Sequence, residues 1–321
     1  MDRENAIRIG DLEIIRGENG SRVPFTTNVV VVGDGESALI DAGAGKEAFS
    51  YIHNQYDINQ IFLTHFHIDH TWGIKHFPTA QVHVNPLDAK KLSSMEELLK
   101  IGGNYAVEGE QNLQAMIQSR EGRAFQSVVD RNKEIYPFDE EFVVAGKRVQ
   151  MIHTPGHCES FCCPYFPEEK VMIVGDYDLT SFGPWYNNAD SNINQMIASA
   201  EKTLGYDVEH YVTLHHKGVF SQEDYQAKLK DYMQIIDERE GRLIDRIKAG
   251  VTPEEIVYQE IFYREKNLKQ SPPLVAFEKI GIAKHLERLL ENDERYLDFY
   301  DSFLQANFNA PSFVHYYHST V

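Results

Sequence analysis

The chain has 321 residues, 42% hydrophobic and 25% charged, which is enough for one large α/β domain or such a domain with a small appendage. Its net charge of −18 repels a polyphosphate backbone and so argues against nucleic acid as a partner. The first residues carry no cationic, apolar signal peptide, and no apolar run approaches membrane-spanning length. We therefore expect a cytoplasmic protein that does not enter a membrane.

The first third of the chain alternates between strand and helix patterns. Residues 11–42 contain three extended runs, and residues 46–55 have helical periodicity. Residues 58–65 are predicted as a short buried strand that runs directly into a histidine-rich segment, and residues 80–85 as another strand. Short strands and helices in alternation predict a layered α/β domain.

The stretch from residue 86 to residue 137 differs from its surroundings. Its apolar residues follow helical spacing, which predicts a helical insertion between sheet strands. Strand patterns resume after it, and either Asp190 or Ser191 is placed to cap a helix that ends near Leu204. Residues 210–216 are predicted as the last strand of the core.

Beyond Val219 the pattern is helical to the end, so we place a boundary near Ser221. This divides the chain into a catalytic domain, residues 1–220, and a helical C-terminal extension, residues 221–321. The segment from Thr252 to Glu255 has the composition of a capping box. The final residues are aromatic, which allows them to cover a core edge, line a cleft or join two copies in a homodimer.

Cys158, Cys162 and Cys163 lie within six residues of one another. An odd and tightly spaced set is not a disulfide framework and agrees with a reducing compartment. Clustered buried thiols are the favoured interpretation over a third metal or redox site.

The segment THFHIDH places His65, His67, Asp69 and His70 within six residues, directly after a predicted strand. Imidazole and carboxylate are the ligands that suit zinc, iron and manganese. If the strand continues with its period of two, His65 and His67 point the same way, while Asp69 and His70 lie on the following turn. The spacing therefore predicts a metal site.

These residues resemble the signature of the metallo-β-lactamase-like hydrolase superfamily. The other motifs of that family follow in order over residues 10–220: Asp41 in LIDAG, His157 in TPGH, Asp176 in VGD, and His215 or His216 at the end of the last core strand. The resemblance implies an α/β fold, the metallo-β-lactamase αββα sandwich, here with the helical insertion and the small helical extension. It specifies fold and metal site but not substrate.

Carried over residue by residue, the resemblance implies two divalent cations, zinc first, with iron or manganese as alternatives. One is held by His65, His67 and His157, the other by Asp69, His70 and one of the final histidines, with Asp176 shared. Neighbours in a strand point to opposite faces, so only one of the two should reach the metal. His215 keeps the usual ending of the strand and is slightly favoured, whereas His216 has the better register with Gly218 and Val219. Asp69 is also assigned a catalytic role, orienting a hydroxide or passing a proton to the leaving group.

Two further sets of residues are predicted to serve this site. Asp41 either orients a ligand histidine through its other ring nitrogen or is a simple turn residue, and the first role is favoured. The loop after Asp176 is rich in aromatic residues that either form a substrate wall or only pack the loop. They are Tyr177, Phe182, Trp185 and Tyr186. A tyrosine hydroxyl among them is a candidate donor to an oxyanion.

The predicted function is metal-dependent hydrolysis of an ester-like bond, in a lactone, thioester or phosphoester, within a small molecule. A bridging hydroxide is the expected nucleophile. The alternatives are an iron-dependent redox member of the superfamily similar to persulfide dioxygenases, a nuclease and a non-catalytic scaffold. The net charge argues against the nuclease, and the complete ligand set argues against the scaffold.

Overall fold

A computed structural model describes residues 6–315, apart from the side chains of Gln111, Arg120 and Glu121. In this part of the chain, thirteen strands form two sheets. The first sheet contains β1 (Ala6–Ile9), β2 (Leu12–Ile15), β3 (Asn28–Val32), β4 (Ser37–Ile40), β5 (Ile58–Phe62), β6 (Gln81–Val84) and β7 (Lys133–Ile135), in that order. The second contains β8 (Glu141–Val144), β9 (Lys147–His153), β10 (Cys162–Phe166), β11 (Val171–Gly175), β12 (His210–Thr213) and β13 (Val219–Ser221), also side by side in sequence order.

Helices connect the strands and form the C-terminal extension. In the described residues they are α1 (Glu18–Ser21), α2 (Lys46–Gln55), α3 (Ile68–Thr71), α4 (Pro86–Lys91), α5 (Met95–Ile101), α6 (Asn104–Glu108), α7 (Leu113–Ile117), α8 (Arg120–Val129), α9 (Ile193–Thr203), α10 (Gln222–Lys248), α11 (Glu265–Leu268), α12 (Pro272–Leu290) and α13 (Leu297–Asn307). Short 3₁₀ turns lie between several of them.

The two sheets pack face to face, and helices cover their outer faces. On β3 the side chains alternate: Val29 and Val31 belong to the apolar layer between the sheets, and Val30 belongs to the layer under the helices. From β4 to β7 the first sheet is parallel, and β11 pairs in parallel with β12. This is the αββα sandwich predicted from the motifs, and the fold class is confirmed.

Several local expectations are corrected. The strand before the histidine-rich segment ends at Phe62, and Ile68 begins a short helix, so a strand period does not orient His65 and His67. The helix before Leu204 is capped by Asn192, whose side chain accepts from the Gln195 N–H, and not by Asp190 or Ser191. β13 follows β12 at the sheet edge, so residues 210–216 are not the last strand.

Residues 86–137 contain α4 to α8 and also β7, which pairs in parallel with β6 at the edge of the first sheet. α10 begins directly after β13, with Ser221 as its N-cap. The residues of the predicted capping box make both reciprocal hydrogen bonds, between Thr252 and Glu255, but only a 3₁₀ turn follows. The two proposed domains therefore join without a linker.

The C-terminal extension packs around an apolar cluster that includes its residues Leu243, Ile280 and Phe303 and also Ala106 and Val107 of α6. Of the aromatic tail, Phe308 and Val314 are buried in this cluster, and residues 316–321 lie outside the described part. This part of the tail thus packs against the extension of its own chain. Among the described residues, no helix is both long and apolar enough to cross a membrane.

Candidate metal centre

The predicted ligands come from segments that follow strand ends at one edge of the sandwich, and two of them, Asp69 and His70, lie on the short helix α3. His65 and His67 follow β5, Asp176 follows β11 and His215 follows β12. His157 lies in the turn between β9 and β10. Because β4 and β5 are parallel, Asp41 at the end of β4 lies beside the loop after β5. The topology therefore brings these segments together from distant parts of the chain.

The first cluster consists of three histidines and one carboxylate. One ligand atom from each of His65, His67, His157 and Asp176 lies within 4.8 Å of every other. Nε2 of His157 is 3.0 Å from Nδ1 of His67 and 3.2 Å from Oδ2 of Asp176. Four donor atoms at this spacing can surround one cation.

The second cluster consists of Asp69, His70 and His215, whose ligand atoms also lie within 4.8 Å of one another. Nε2 of His215 is 3.3 Å from Oδ2 of Asp69. Asp176 reaches this cluster as well, because its Oδ1 is 3.0 Å from Nε2 of His70. One carboxylate therefore faces both groups.

Four of the histidines are oriented by hydrogen bonds from their Nδ1 atoms, which turns Nε2 toward the centre. The partners are Thr64 Oγ1 for His65, Asp41 Oδ2 for His70, the Trp185 carbonyl for His157 and the Ser21 carbonyl for His215. The Nε2 atoms of three of them, His65, His70 and His215, are buried without a hydrogen-bond partner among the described residues.

Asp41 lies behind the histidines, on the side away from the ligand atoms. It accepts hydrogen bonds from the backbone N–H and the hydroxyl of Thr64, at 2.8 Å each, and from Nδ1–H of His70 at 2.7 Å. Thr64 in turn accepts from His65 at 3.0 Å, because its own hydroxyl proton is directed to Asp41. One buried carboxylate thus orients two histidines, one directly and one through a threonine.

His67 is oriented the other way round. Its Nδ1 faces His157, and its Nε2 contacts the side-chain amide of Asn188. An asparagine amide can present its oxygen in place of its nitrogen with little change of shape. When the amide oxygen of Asn188 accepts from Nε2–H of His67, Nδ1 carries no proton. The lone pair of Nδ1 then points toward the cluster.

Burial and opposing charges divide the histidines into two kinds. Burial, together with the neighbouring His70 and His67, lowers the pKa of His65 well below its usual value, and burial with His157 lowers the pKa of His67. At His215 burial is outweighed by Asp176 and Asp69, which raise its pKa to about 9. Lowered pKa values favour neutral imidazoles at His65 and His67, and the neutral form is the one that binds cations.

The ligand atoms of the two clusters are suited to hold metal ions. Oδ1 of Asp176 and Nε2 of His70 approach to 3.0 Å, yet both lack a hydrogen-bond partner within the described part of the chain. Buried polar atoms are almost always paired, so unpaired donor atoms that converge need a shared partner. A divalent cation satisfies atoms of this kind, and nitrogen-rich sites of this composition suit zinc.

The remaining predicted residues lie apart from the two clusters. His216 is 35% exposed, and its Nε2 is 3.7 Å from Asp178, so the structure brings His215 and not His216 to the centre. Tyr177 is fully buried against Phe161. Of the four aromatic residues predicted after Asp176, only Trp185 lies beside the histidines. Its ring centroid is 5.5 Å from the ring centroids of His67 and His157.

The other two aromatic residues of the predicted wall face the extension. The Tyr186 hydroxyl is engaged by Arg239 and by His285, so it has no free proton for an oxyanion. Phe182 packs on Tyr263. Sequence reasoning missed Thr64 and Asn188. Thr64 stands directly before the motif, whereas nothing in the sequence around Asn188 distinguishes it from an ordinary loop residue.

The sandwich fold and the paired ligand clusters define the class of metallo-hydrolases in which the metal lies at a sheet edge. The sequence model that describes the metallo-beta-lactamase superfamily matches residues 22–216, and the chain belongs to that family. The resemblance found in the motifs is confirmed.

Curated relatives are similar over most of this chain. Lactamase-like protein adaB of Aspergillus niger is 25% identical over 75% of this chain and 66% of its own length. The atrochrysone carboxyl ACP thioesterase of Aspergillus fumigatus is 24% identical over 79% of this chain and 73% of its own. The chain thus spans about two thirds of the length of adaB.

Solved structures share the fold along nearly the whole chain. A metallo-beta-lactamase family protein from Thermus thermophilus matches with a TM-score of 0.61 and 20% identity, over 88% of this chain and 93% of that one. A beta-lactamase domain protein from Burkholderia ambifaria matches with a TM-score of 0.62 and 14% identity, over 90% of both chains. The similarity thus includes much of the C-terminal extension.

Proposed function

We propose that this protein is a cytoplasmic hydrolase that uses two zinc ions to cleave a thioester in a small molecule. The observation that supports the dinuclear site is the position of Asp176, whose two oxygens face the two ligand clusters. His65, His67 and His157 would hold one cation, and Asp69, His70 and His215 the other. The three free, buried cysteines agree with a reducing compartment.

The thioester is the first substrate class to test because of a relative. The similar Aspergillus fumigatus protein is named as a thioesterase that acts on an acyl carrier protein. Lactones and phosphoesters are the other ester-like bonds that the same donor set would serve. The net charge of −18 disfavours a nucleic acid in any of these roles.

When two divalent cations are bound here, they make a hydroxide nucleophile available near neutral pH and polarise the carbonyl oxygen of the substrate. The protein's own side chains do the rest of the work. Asp69, at 3.3 Å from His215, is placed to orient the attacking hydroxide, to take up its proton once the new C–O bond has formed, and to pass that proton to the departing thiolate as the C–S bond breaks. The Trp185 ring beside His67 and His157 provides an apolar wall that excludes bulk water.

The proposal is tested with purified protein loaded with Zn²⁺ and assayed on acyl-N-acetylcysteamine thioesters, a lactone and a phosphodiester. We expect thioester cleavage that Asp176→Asn reduces at least 100-fold. Asp178→Asn is the matched control, because Asp178 lies two residues away, accepts hydrogen bonds from Thr180 and belongs to neither ligand cluster. Oxygen consumption with iron, without hydrolysis, would instead support a redox member and contradict the proposal.

A further inference from the structure

We propose that Arg239 of the C-terminal extension is a positioning residue for one half of the metal centre, the cluster of His65, His67 and His157. This inference rests on the proposed dinuclear site. It concerns the aromatic loop, defined here as residues 182–188, which lies between the extension and the histidines.

The first step is the burial of Arg239. Its side chain is 1% exposed although it lies on α10, a largely polar helix. Among the side chains that the structure describes, it forms no ion pair with a carboxylate. Glu278 lies close enough to interact with its charge, but a buried guanidinium without a directly paired carboxylate is costly, so its hydrogen-bond partners must help to stabilise it.

Those partners lie chiefly in the aromatic loop. The guanidinium donates to the carbonyls of Phe182 and Pro184 and, at 3.1 Å, to the hydroxyl of Tyr186. It also lies over the rings of Phe182 and Tyr186, and over Phe262 of the extension at 4.3 Å. The guanidinium of Arg239 therefore holds every second residue of the loop from Phe182 to Tyr186.

Other contacts from the extension hold the same loop. The Trp185 indole N–H donates to the Tyr263 hydroxyl at 3.1 Å, and Asn187 donates to the Phe277 carbonyl at 2.7 Å. Tyr186 completes a chain of hydrogen bonds through His285, at 2.9 Å, to Glu240, at 3.3 Å. The loop is thus held by side chains and one backbone carbonyl that lie beyond residue 221.

The loop in turn determines the orientation of two ligand histidines. The Trp185 carbonyl accepts from Nδ1–H of His157 at 2.8 Å, and the Asn188 amide contacts Nε2 of His67. In the second cluster, His70 and His215 are oriented by Asp41 and Ser21, which belong to the N-terminal part of the chain. Loss of the Arg239 contacts should therefore disturb the first cluster and leave the second intact.

The test is a Zn²⁺ titration of the full chain against a chromophoric chelator. Arg239→Met keeps an apolar side chain but removes every donor. We expect this variant to bind one Zn²⁺ with wild-type affinity and the other at least ten-fold more weakly. Combining it with His157→Ala should add no further loss, whereas combining it with His215→Ala should leave no tight site.

Leu243→Ala is the matched control, because Leu243 is buried one turn further along α10 in the apolar cluster of the extension. It should loosen the extension without the selective loss of one Zn²⁺. If Arg239→Met does not fold, variants of Asn188, the loop residue that contacts His67, test the inference instead. Asn188→Ala should weaken the same single site, and Asn188→Asp, which keeps an acceptor for His67, should restore it.

Three outcomes would overturn the inference: Arg239→Met and Asn188→Ala bind both ions as tightly as wild type, both variants weaken the two sites equally, or Leu243→Ala shows the same selective loss. A wild-type chain that binds no Zn²⁺ would overturn the proposed function as well. A wild type that binds two ions, together with unaffected variants, would overturn only the role of Arg239.

Discussion

The carboxylate of Asp41 accepts a hydrogen bond from Nδ1–H of His70 at 2.7 Å, in a place where neither residue has any exposed surface. Asp41 also has a left-handed backbone, with φ of 57°, which asparagine tolerates better than other side chains. Asp41→Asn therefore tests the carboxylate with little backbone strain. We expect Zn²⁺ affinity to fall about 10- to 100-fold, measured by chelator competition. Unchanged affinity would mean that Asp41 is only a turn residue.

Gly43 permits the close approach of the loop that carries Asp69. A Cβ atom at Gly43 would lie 1.6 Å from the Asp69 carbonyl oxygen and 2.4 Å from the Thr26 hydroxyl. Gly43→Ala must therefore shift Asp69, and we expect kcat/KM to fall at least 100-fold. Gly241→Ala on α10 is the control, because nothing lies within 4 Å of its added Cβ. It should retain activity and stabilise the protein by about 0.5–1 kcal/mol in denaturant unfolding.

The adjacent histidines His215 and His216 should differ sharply on substitution. His215→Ala removes a side chain placed 3.3 Å from Asp69 and is expected to abolish binding of one Zn²⁺. His216→Ala removes a partly exposed ring next to Asp178 and should leave the Zn²⁺ stoichiometry unchanged. Metal analysis after gel filtration separates the two. The reverse result would reassign the ligand.

Removal of the metal should lower the thermal stability of the protein. A ligand bound only by the folded state, present at a thousand times its dissociation constant, stabilises that state by about 4 kcal/mol. We therefore expect a chelator to lower the Tm of the Zn²⁺-loaded chain by several degrees. The Asp176→Asn variant should show a smaller shift, because the residue that faces both clusters is altered. A chelator without effect on wild type would contradict the metal site.

Glu278 on α12 predicts a pH effect on stability. It has no exposed surface, and burial raises its pKa to about 7 even though three backbone N–H groups, those of residues 261, 262 and 263, donate to it. The folded chain thus binds this proton more tightly than the unfolded chain. The stability contribution of Glu278 is complete below its ordinary value of 4.5 and is lost as pH rises through about 7.

The comparison is between wild type and Glu278→Gln, which cannot titrate. The unfolding free energy of the variant, relative to wild type, should rise between pH 4.5 and 7 by at most about 3 kcal/mol. Glu238→Gln, on the exposed face of α10, should follow wild type at every pH. Parallel curves for wild type and Glu278→Gln would show that the carboxylate is ionised throughout.

The fold and the residues near the motifs could be predicted because both are indicated by patterns within short segments of the sequence. His65 and His70 lie in one segment, and imidazoles at that spacing have few structural uses. The sequence supports only a slight preference for His215 over His216, because the choice depends on where β12 ends and on the left-handed backbone of His216, with φ of 60°. Periodicity gave no information on either.

Apart from Asp41, the residues that orient the ligands were beyond prediction for a different reason. Asn188 contacts a histidine 121 positions away, and Arg239 contacts a carbonyl 55 positions away. An asparagine in a loop or an arginine on a polar helix is ordinary in composition, so only the packed structure gives it a role. The same applies to Tyr177 and Tyr186, whose aromatic character suggested a wall although their side chains are buried.

His67 differs from the other imidazoles of the centre in which ring nitrogen it presents. Its Nδ1 is as many bonds from the Cα as the amide of an asparagine, whereas the Nε2 atoms of His65, His70, His157 and His215 correspond to the amide of a glutamine. The centre therefore combines ligand nitrogens at two different distances from the backbone. Any attempt to re-engineer it for a larger or smaller ion would have to treat His67, which presents the nearer nitrogen, separately from the other four histidines.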